Sequence, residues 1–305
     1  MRSVFILVLI SLATVSVAVQ AADVPKYRGF IKPITSPIVL RYRPFPKSPF
    51  TLTQQVSIPT DGSDNSNQTQ MSGFMESQLV DGLLMITVAS EHEAGQSSVQ
   101  LYLQYSYTQS GQFQGIRKME LNGKDYLSSA PPEMETLMKQ MEDALKSAHP
   151  TYDKINGYVT GDNIYDYDLN MNIMNFEMTI KTRGVVRGLT IHEGRDALVV
   201  DYDGEVSLNG NSGSASGYML LDVSTSVPIL SEKAMSIPLP LKEKTMQFLM
   251  NETHTLKLPP KRNDPIQRVG GSVEERLTKL NKLLEKGLLT PDEAAAKRKE
   301  ILEGL

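Results

Sequence analysis

Apolar and polar side chains alternate with a period of two along much of this chain. Between Thr51 and Ile58 the apolar residues Leu52, Val56 and Ile58 share one face, and Val99, Leu101, Leu103, Tyr105 and Tyr107 alternate with Gln100, Tyr102, Gln104, Ser106 and Thr108. A strand turns successive side chains to opposite faces, so this period predicts half-buried strands. Leu83 to Ala89 is more continuously apolar and is bounded by Asp81-Gly82 and by Glu91-His92-Glu93, which reads as a solvated turn. Gly111 to Asn122 predicts a further strand. The short connections make the sheet antiparallel.

Pro131-Pro132 interrupts this pattern, and the period then changes. Met134, Leu137, Met138, Met141 and Leu145 form one stripe of a helix predicted over Glu133 to Ser147, with Glu133 and Glu135 in its first turn and Lys146 in its last, each matched to the helix dipole. Strands resume at Tyr165 to Met171, Phe176 to Thr182, Val185 to Glu193, Ala197 to Leu208, Ser216 to Val223 and Ile229 to Ile237, with a last one over Lys244 to Leu258. Glu193-Gly194-Arg195-Asp196 and Gly210-Asn211-Ser212-Gly213 mark turns. Before all of these, Ala22 to Pro49 reads as an extended lead-in with a strand at Ile38 to Tyr42. The two sets of strands flanking the helix are comparable halves without a residue-level repeat.

The C-terminal residues carry a different period. Leu277, Leu280, Leu284 and Leu288 recur at three- and four-residue steps, which predicts a helix from Val273 to Lys286 ended by Gly287. Thr290-Pro291-Asp292-Glu293 forms a capping box that starts a second helix, with Ala294, Ala295, Ile301 and Leu302 inward and Lys297, Arg298 and Lys299 outward. Leu288, Leu289, Thr290, Glu293, Lys297, Ile301 and Leu302 match the pattern of the SHOCT (short C-terminal domain) family, which this segment resembles. Ala294 stands where that family usually has Phe. The resemblance implies an accessory two-helix hairpin over residues 272–305, and the lost aromatic leaves Leu277, Leu280 and Leu284 in need of another surface. Self-association through Leu277, Leu280, Leu284, Leu288, Ile301 and Leu302 is therefore expected. Three prolines and Gly270-Gly271 make residues 259–271 a linker.

At the other end, Arg2 precedes an apolar run from Val4 to Val19, and Val19-Gln20-Ala21 fits a signal-peptidase site. Residues 1–21 are expected to be an export signal cleaved after Ala21, leaving no stable membrane span and a soluble exported protein, periplasmic in a Gram-negative source. Residues 22–258 would then be the β-rich domain. The chain has 305 residues and no cysteine, so neither disulfides nor a lipidated cysteine contribute. A net charge of −4, with basic residues dispersed before the C-terminus, argues against a nucleic-acid surface.

No residue pattern in the chain spells a catalytic site or implies a cofactor. His92, His149, His192 and His254 are scattered without metal spacing. Met171, Met174 and Met178, with Met134, Met138 and Met141, are read as core rather than as copper ligands. Gly213-Ser214-Ala215-Ser216-Gly217 puts Ala where a nucleophile elbow needs Ser, and Gly210 to Gly217 reads as a flexible hairpin loop. Asp162, Asp166 and Asp168, and Asp201 with Asp203, lack the ligand series of a calcium loop.

Gly217-Tyr218-Met219-Leu220-Leu221-Asp222, followed by Thr225 and Pro228, resembles the meanders of exported lipoprotein-carrier-like proteins, in which a curved sheet and helices enclose an apolar cavity. The fold expected is mainly β (α+β): a curved antiparallel sheet or half-barrel with one covering helix, plus the C-terminal hairpin. The function expected is binding of an apolar or amphipathic ligand, a lipid among them, or of an envelope partner. A scaffold with a filled core and a hydrolase with carboxylates assembled only in space are the alternatives. A cavity lined by Met and Leu would favour the first.

Overall fold

The structure, a computed structural model, describes residues 26–60, 63–94, 97–127, 152, 156–173, 176–241 and 244–260, together with helical residues within 138–146 and 277–301. The chain forms two compact units, Met1–Pro259 and Pro260–Leu305. The first holds a twelve-stranded sheet: β1 Phe45–Thr60, β2 Ser63–Val80, β3 Leu83–Ala94, β4 Ser97–Tyr107, β5 Phe113–Leu121, β6 Lys124–Asp125, β7 Asn163–Ile173, β8 Phe176–His192, β9 Arg195–Leu208, β10 Asn211–Asp222, β11 Pro228–Leu241 and β12 Lys244–Leu256. Their order is β6-β5-β4-β3-β2-β1-β12-β11-β10-β9-β8-β7, with every neighbouring pair antiparallel. Two six-stranded meanders thus lie side by side. The first strand of one meander, β1, pairs with the last strand of the other, β12, so the sheet is open at β6 and β7.

Four of the hairpin turns are built alike. Asp81-Gly82, Asn122-Gly123, Glu193-Gly194 and Asn209-Gly210 each take positive φ at both residues, the geometry whose twist matches that of the flanking strands. The turn expected at Gly210 to Gly213 is Asn209-Gly210 alone. Asn211 to Gly217 belongs to β10 rather than to a flexible loop.

Other expectations are corrected in detail. The strands expected at Phe176 to Thr182 and Val185 to Glu193 are one continuous strand, β8, which ends at His192 and is bulged between Val186 and Gly188. Glu91 to Glu93 continues β3 instead of forming a turn. Ile38 to Tyr42 is no strand, although Ile38 makes a single bridge to Tyr158. β2 was not signalled by period, because its inward positions include Gly73 and Ser77 and the exposed Phe74 lies on the outward face.

One face of the sheet is lined by Leu103, Tyr105, Ile86, Val88, Met71, Leu52, Leu256, Met219 and Val200, all in one buried cluster. Gly73 and Gly204 lie on the same face. A Cβ built on Gly73 would stand 2.1 Å from the Ala89 carbonyl oxygen, and one on Gly204 would stand 1.9 Å from that of Lys181. No side chain can occupy either position without the neighbouring strand moving, as expected where a sheet bends sharply toward that face.

Described residues between the two meanders pack on this face. Helical residues within 138–146 put Met141 and Leu145 into the cluster, where the stripe expected of this helix required them. Met134 and Leu137 lie outside the described residues. The Tyr107 hydroxyl donates to the Leu145 carbonyl at 2.5 Å, and the Tyr152 hydroxyl donates to the Ser226 carbonyl at 2.9 Å. Tyr42 stacks against both Tyr107 and Tyr152. Burial pushes the phenols of Tyr42, Tyr105 and Tyr107 above their ordinary value, so they stay neutral donors.

A polar knot ties the end of β10. Asp222, fully buried, receives Arg195 Nε at 2.8 Å and Nη2 at 3.1 Å, the backbone N–H of Thr225 at 2.9 Å and the hydroxyls of Ser224 and Thr225 at 2.5 and 2.8 Å. Arg195 Nη1 also donates to the Pro259 carbonyl at 2.5 Å, which fastens the chain after β12. Burial alone would raise the Asp222 carboxyl. The hydrogen bonds from Arg195, Ser224 and Thr225 and the guanidinium charge outweigh it and hold the carboxyl below its ordinary value.

In the second unit, Leu277, Thr278, Leu280 to Lys282 and Leu284 are helical, as are Ala294, Ala295, Lys297 to Lys299 and Ile301. Leu280, Ala294 and Ile301 form a small buried cluster with Leu277 packed on it.

Candidate functional site

The candidate site is a cavity on the inward face, enclosed by Phe45, Phe50 and Leu52 of β1, Met71 and Met75 of β2, Ile86 and Val88 of β3, Tyr105 of β4, Leu145, Met219 of β10, and residues of β11 and β12. β4 and β10 stand six strands apart in the sheet. At about 4.8 Å per strand a flat sheet would separate them by roughly 29 Å. They line one cavity of about 70 Å³, so the sheet is curved around it. A typical small-molecule pocket holds about 300–1,000 Å³. This cavity is a narrow slot, though well above the roughly 10–15 Å³ that one water needs.

The β11 and β12 wall is polar. Lys233 and Glu252 are directly opposite in the β11–β12 ladder, and Gln54 is opposite Glu252 in the β1–β12 ladder. Lys233 Nζ donates to Glu252 Oε1 at 2.9 Å and Gln54 Nε2 donates to Oε2 at 2.7 Å, all three side chains being buried. Burial pushes the Lys233 ammonium below its ordinary value, and the charge and hydrogen bond of Glu252 oppose this without reversing it. The same cross-strand row continues through Gly217 to Tyr202, whose ring lies over Gly217 and whose hydroxyl donates to the Glu232 carbonyl at 2.9 Å.

This row divides the apolar face. On one side lies the large cluster with the cavity, and on the other a smaller cluster of Ile180, Val206, Ala215, Met235, Ile237 and Met250. The next row on the cavity side runs Leu52, His254, Ser231, Met219 and Val200. Ser231 and His254 both line the cavity. Ser231 is 2% exposed and its hydroxyl has no hydrogen-bond partner among the described residues. A buried ion pair at a strand junction also fixes register, since a slip of one residue would turn both charges to the other face. The open question of chemistry therefore falls on the unpaired hydroxyl.

None of these polar residues was picked out by motif. Period two did carry a signal: Ile229, Ser231, Lys233, Met235 and Ile237 share a face, as do Met250, Glu252, His254 and Leu256. A charge in the apolar phase of each of two strands is legible, but which charge meets which depends on the register. His254 belongs to the cavity wall, with its ring 6.3 Å from that of Phe50. His192 ends β8, and the side chain of His92 and all of His149 lie outside the described residues.

The aspartates weighed as calcium-loop candidates are not among the residues that line the cavity. Asp162 Oδ2 accepts from the Val159 N–H at 3.0 Å, Asp168 faces Lys181 at 3.6 Å and Asp201 faces Arg187 at 3.3 Å. Among the described residues no group of three His, Asp or Glu side chains is placed to hold a metal.

Of the residues expected to mediate association, Leu280 and Ile301 are buried, Leu277 is partly buried and Leu284 is 37% exposed. Leu288, Leu302, the capping box at Thr290 to Glu293, residues 261–271 of the linker expected at 259–271 and the export signal at 1–21 lie outside the described residues. No helix among the described residues is long and apolar enough to cross a membrane.

No protein-family model matches the chain, and no curated protein matches it. Among solved structures it is similar to one of lipid–protein interactions in lipovitellin, at 11% identity and a TM-score of 0.33, over 80% of this chain and 31% of that one. It is also similar to the ywiB protein of Bacillus subtilis, at 10% identity and a TM-score of 0.17, over 68% of this chain and 92% of that one.

Proposed function

We propose that this is a non-enzymatic exported envelope protein whose curved sheet holds an apolar or amphipathic ligand. The observation that carries the proposal is the cavity itself, walled on most sides by Phe, Leu, Ile, Val and Met and on one side by Ser231, Lys233, Glu252 and His254. An apolar slot with a few convergent polar groups is the usual form of a ligand site. Its volume of about 70 Å³ admits part of a slender chain, and the three methionines Met71, Met75 and Met219 are the residues best able to repack as the slot widens. Among the described residues the cavity wall carries one carboxylate, Glu252, already engaged by Lys233 and Gln54.

The small volume also favours a second reading, a scaffold whose core is nearly filled. Native mass spectrometry of protein purified from the exported fraction separates the two. A retained lipid-sized adduct, lost on Met219→Trp, is expected of the binder, and an adduct-free wild type would leave the scaffold.

Export belongs to the same proposal and is supported by Arg2, the apolar run and Val19-Gln20-Ala21. Intact-mass analysis should find a mature chain beginning at Ala22, and a full-length species held in membranes would overturn it. The SHOCT-like segment is proposed to act as an association or docking module, supported by its leucine spacing and by the exposure of Leu284.

A further inference from the structure

We propose that the cavity's ligand is a single-chain lipid with an uncharged hydrogen-bonding head, an ester or an alcohol, seated against Ser231 beside the Lys233–Glu252 pair. This inference rests on the ligand-binding reading above. Ser231 faces the cavity, is 2% exposed and leaves its hydroxyl without a partner among the described residues. A buried hydroxyl in that state is costly, and the cost vanishes when a ligand supplies the missing hydrogen bond. The Ser231 hydroxyl can donate to an ester carbonyl or accept from an alcohol.

Charge selects the class of head. Lys233 and Glu252 are both buried on the cavity wall and are bonded to each other at 2.9 Å, so their charges cancel. A carboxylate head would enter a low-dielectric slot beside Glu252 with no countercharge to spare, and an ammonium head would meet Lys233 in the same way. An uncharged head loses only hydrogen bonds to water, which Ser231 replaces. His254 stands opposite Ser231 in the ladder and is the remaining titratable side chain of the polar wall. Tyr105, across the cavity, has its phenol pushed up by burial and stays neutral. The alkyl chain then runs along Phe50, Leu52, Met75 and Leu145.

The test uses the full chain and displacement of N-phenyl-1-naphthylamine, a neutral apolar fluorophore, at about pH 8, where an ordinary imidazole is uncharged. Monomyristoylglycerol, myristate and tetradecylammonium are compared below their micelle concentrations. The glycerol ester is expected to bind about tenfold more tightly than either charged chain. Ser231→Ala should weaken the ester about threefold to tenfold, leave myristate unchanged and raise the melting temperature of the unliganded protein, because it removes an unpaired buried hydroxyl. Myristate binding as tight as the ester, or ester binding indifferent to Ser231→Ala, overturns the inference and leaves the cavity reading standing. Failure of all three chains to displace the fluorophore overturns both.

Discussion

Lys233 on β11 and Glu252 on β12 meet side chain to side chain at 2.9 Å, each 1–2% exposed, within the second meander and beside the β12–β1 junction that joins it to the first. Breaking a buried pair leaves one charge uncompensated, at a cost of about 3–5 kcal/mol. Lys233→Met is therefore expected to lower stability by that amount in urea unfolding. Adding Glu252→Gln removes the second charge and keeps an acceptor for Gln54, so the double variant should recover most of the loss. A double variant no more stable than Lys233→Met alone would show that the two side chains are not coupled.

Asp222 sets an acid limit on the fold. Its folded value lies below the ordinary carboxylate value. The unfolded chain therefore takes up a proton first as pH falls, and the stabilisation, full above about pH 4, is lost as pH drops through the folded value. Asp222→Asn should cost about 3 kcal/mol near neutrality. Melting curves should show the gap between wild type and variant closing below about pH 4. A gap independent of pH would remove the carboxylate's charge from the explanation.

Glu193 holds φ of 48° in its turn, whereas the equivalent positions carry Asp81, Asn122 and Asn209. Asn enters this left-handed region more readily than Glu. Glu193→Asn should raise stability by about 0.5–1 kcal/mol, read as a small upward shift of the melting temperature. A drop would mean that the exposed Glu193 side chain has a role beyond its backbone.

The C-terminal leucines separate into two tests. Leu280 is buried with Ala294 and Ile301, so Leu280→Asp should abolish the helical signal of the second unit. Leu284 is exposed, and Leu284→Asp should convert an oligomer to a monomer while leaving the sheet's melt unchanged. Analytical ultracentrifugation that finds the wild type monomeric at micromolar concentration would end the self-association proposal.

Much of the sheet was legible because period two is a local property. Leu101, Leu103, Tyr105 and Tyr107 announce β4 whatever they pack against, and Met141 and Leu145 announce a helix with one buried stripe. β2 was illegible for an equally local reason. Its inward face is interrupted by Gly73, where the neighbouring backbone comes too close for any side chain, and Phe74 points outward.

The site depended on distance along the chain. Lys233 and Glu252 each stood in the apolar phase of a strand, and that much the residues themselves determined. That Glu252 also meets Gln54, 198 residues earlier, follows only from β1 closing on β12. The cavity follows only from the curvature that brings β4 and β10 to one slot. Local alternation specifies which face of a strand is buried. Pairing order and curvature are set by packing across the whole sheet, and they alone decided which polar groups share a cavity and that Ser231 there has no partner.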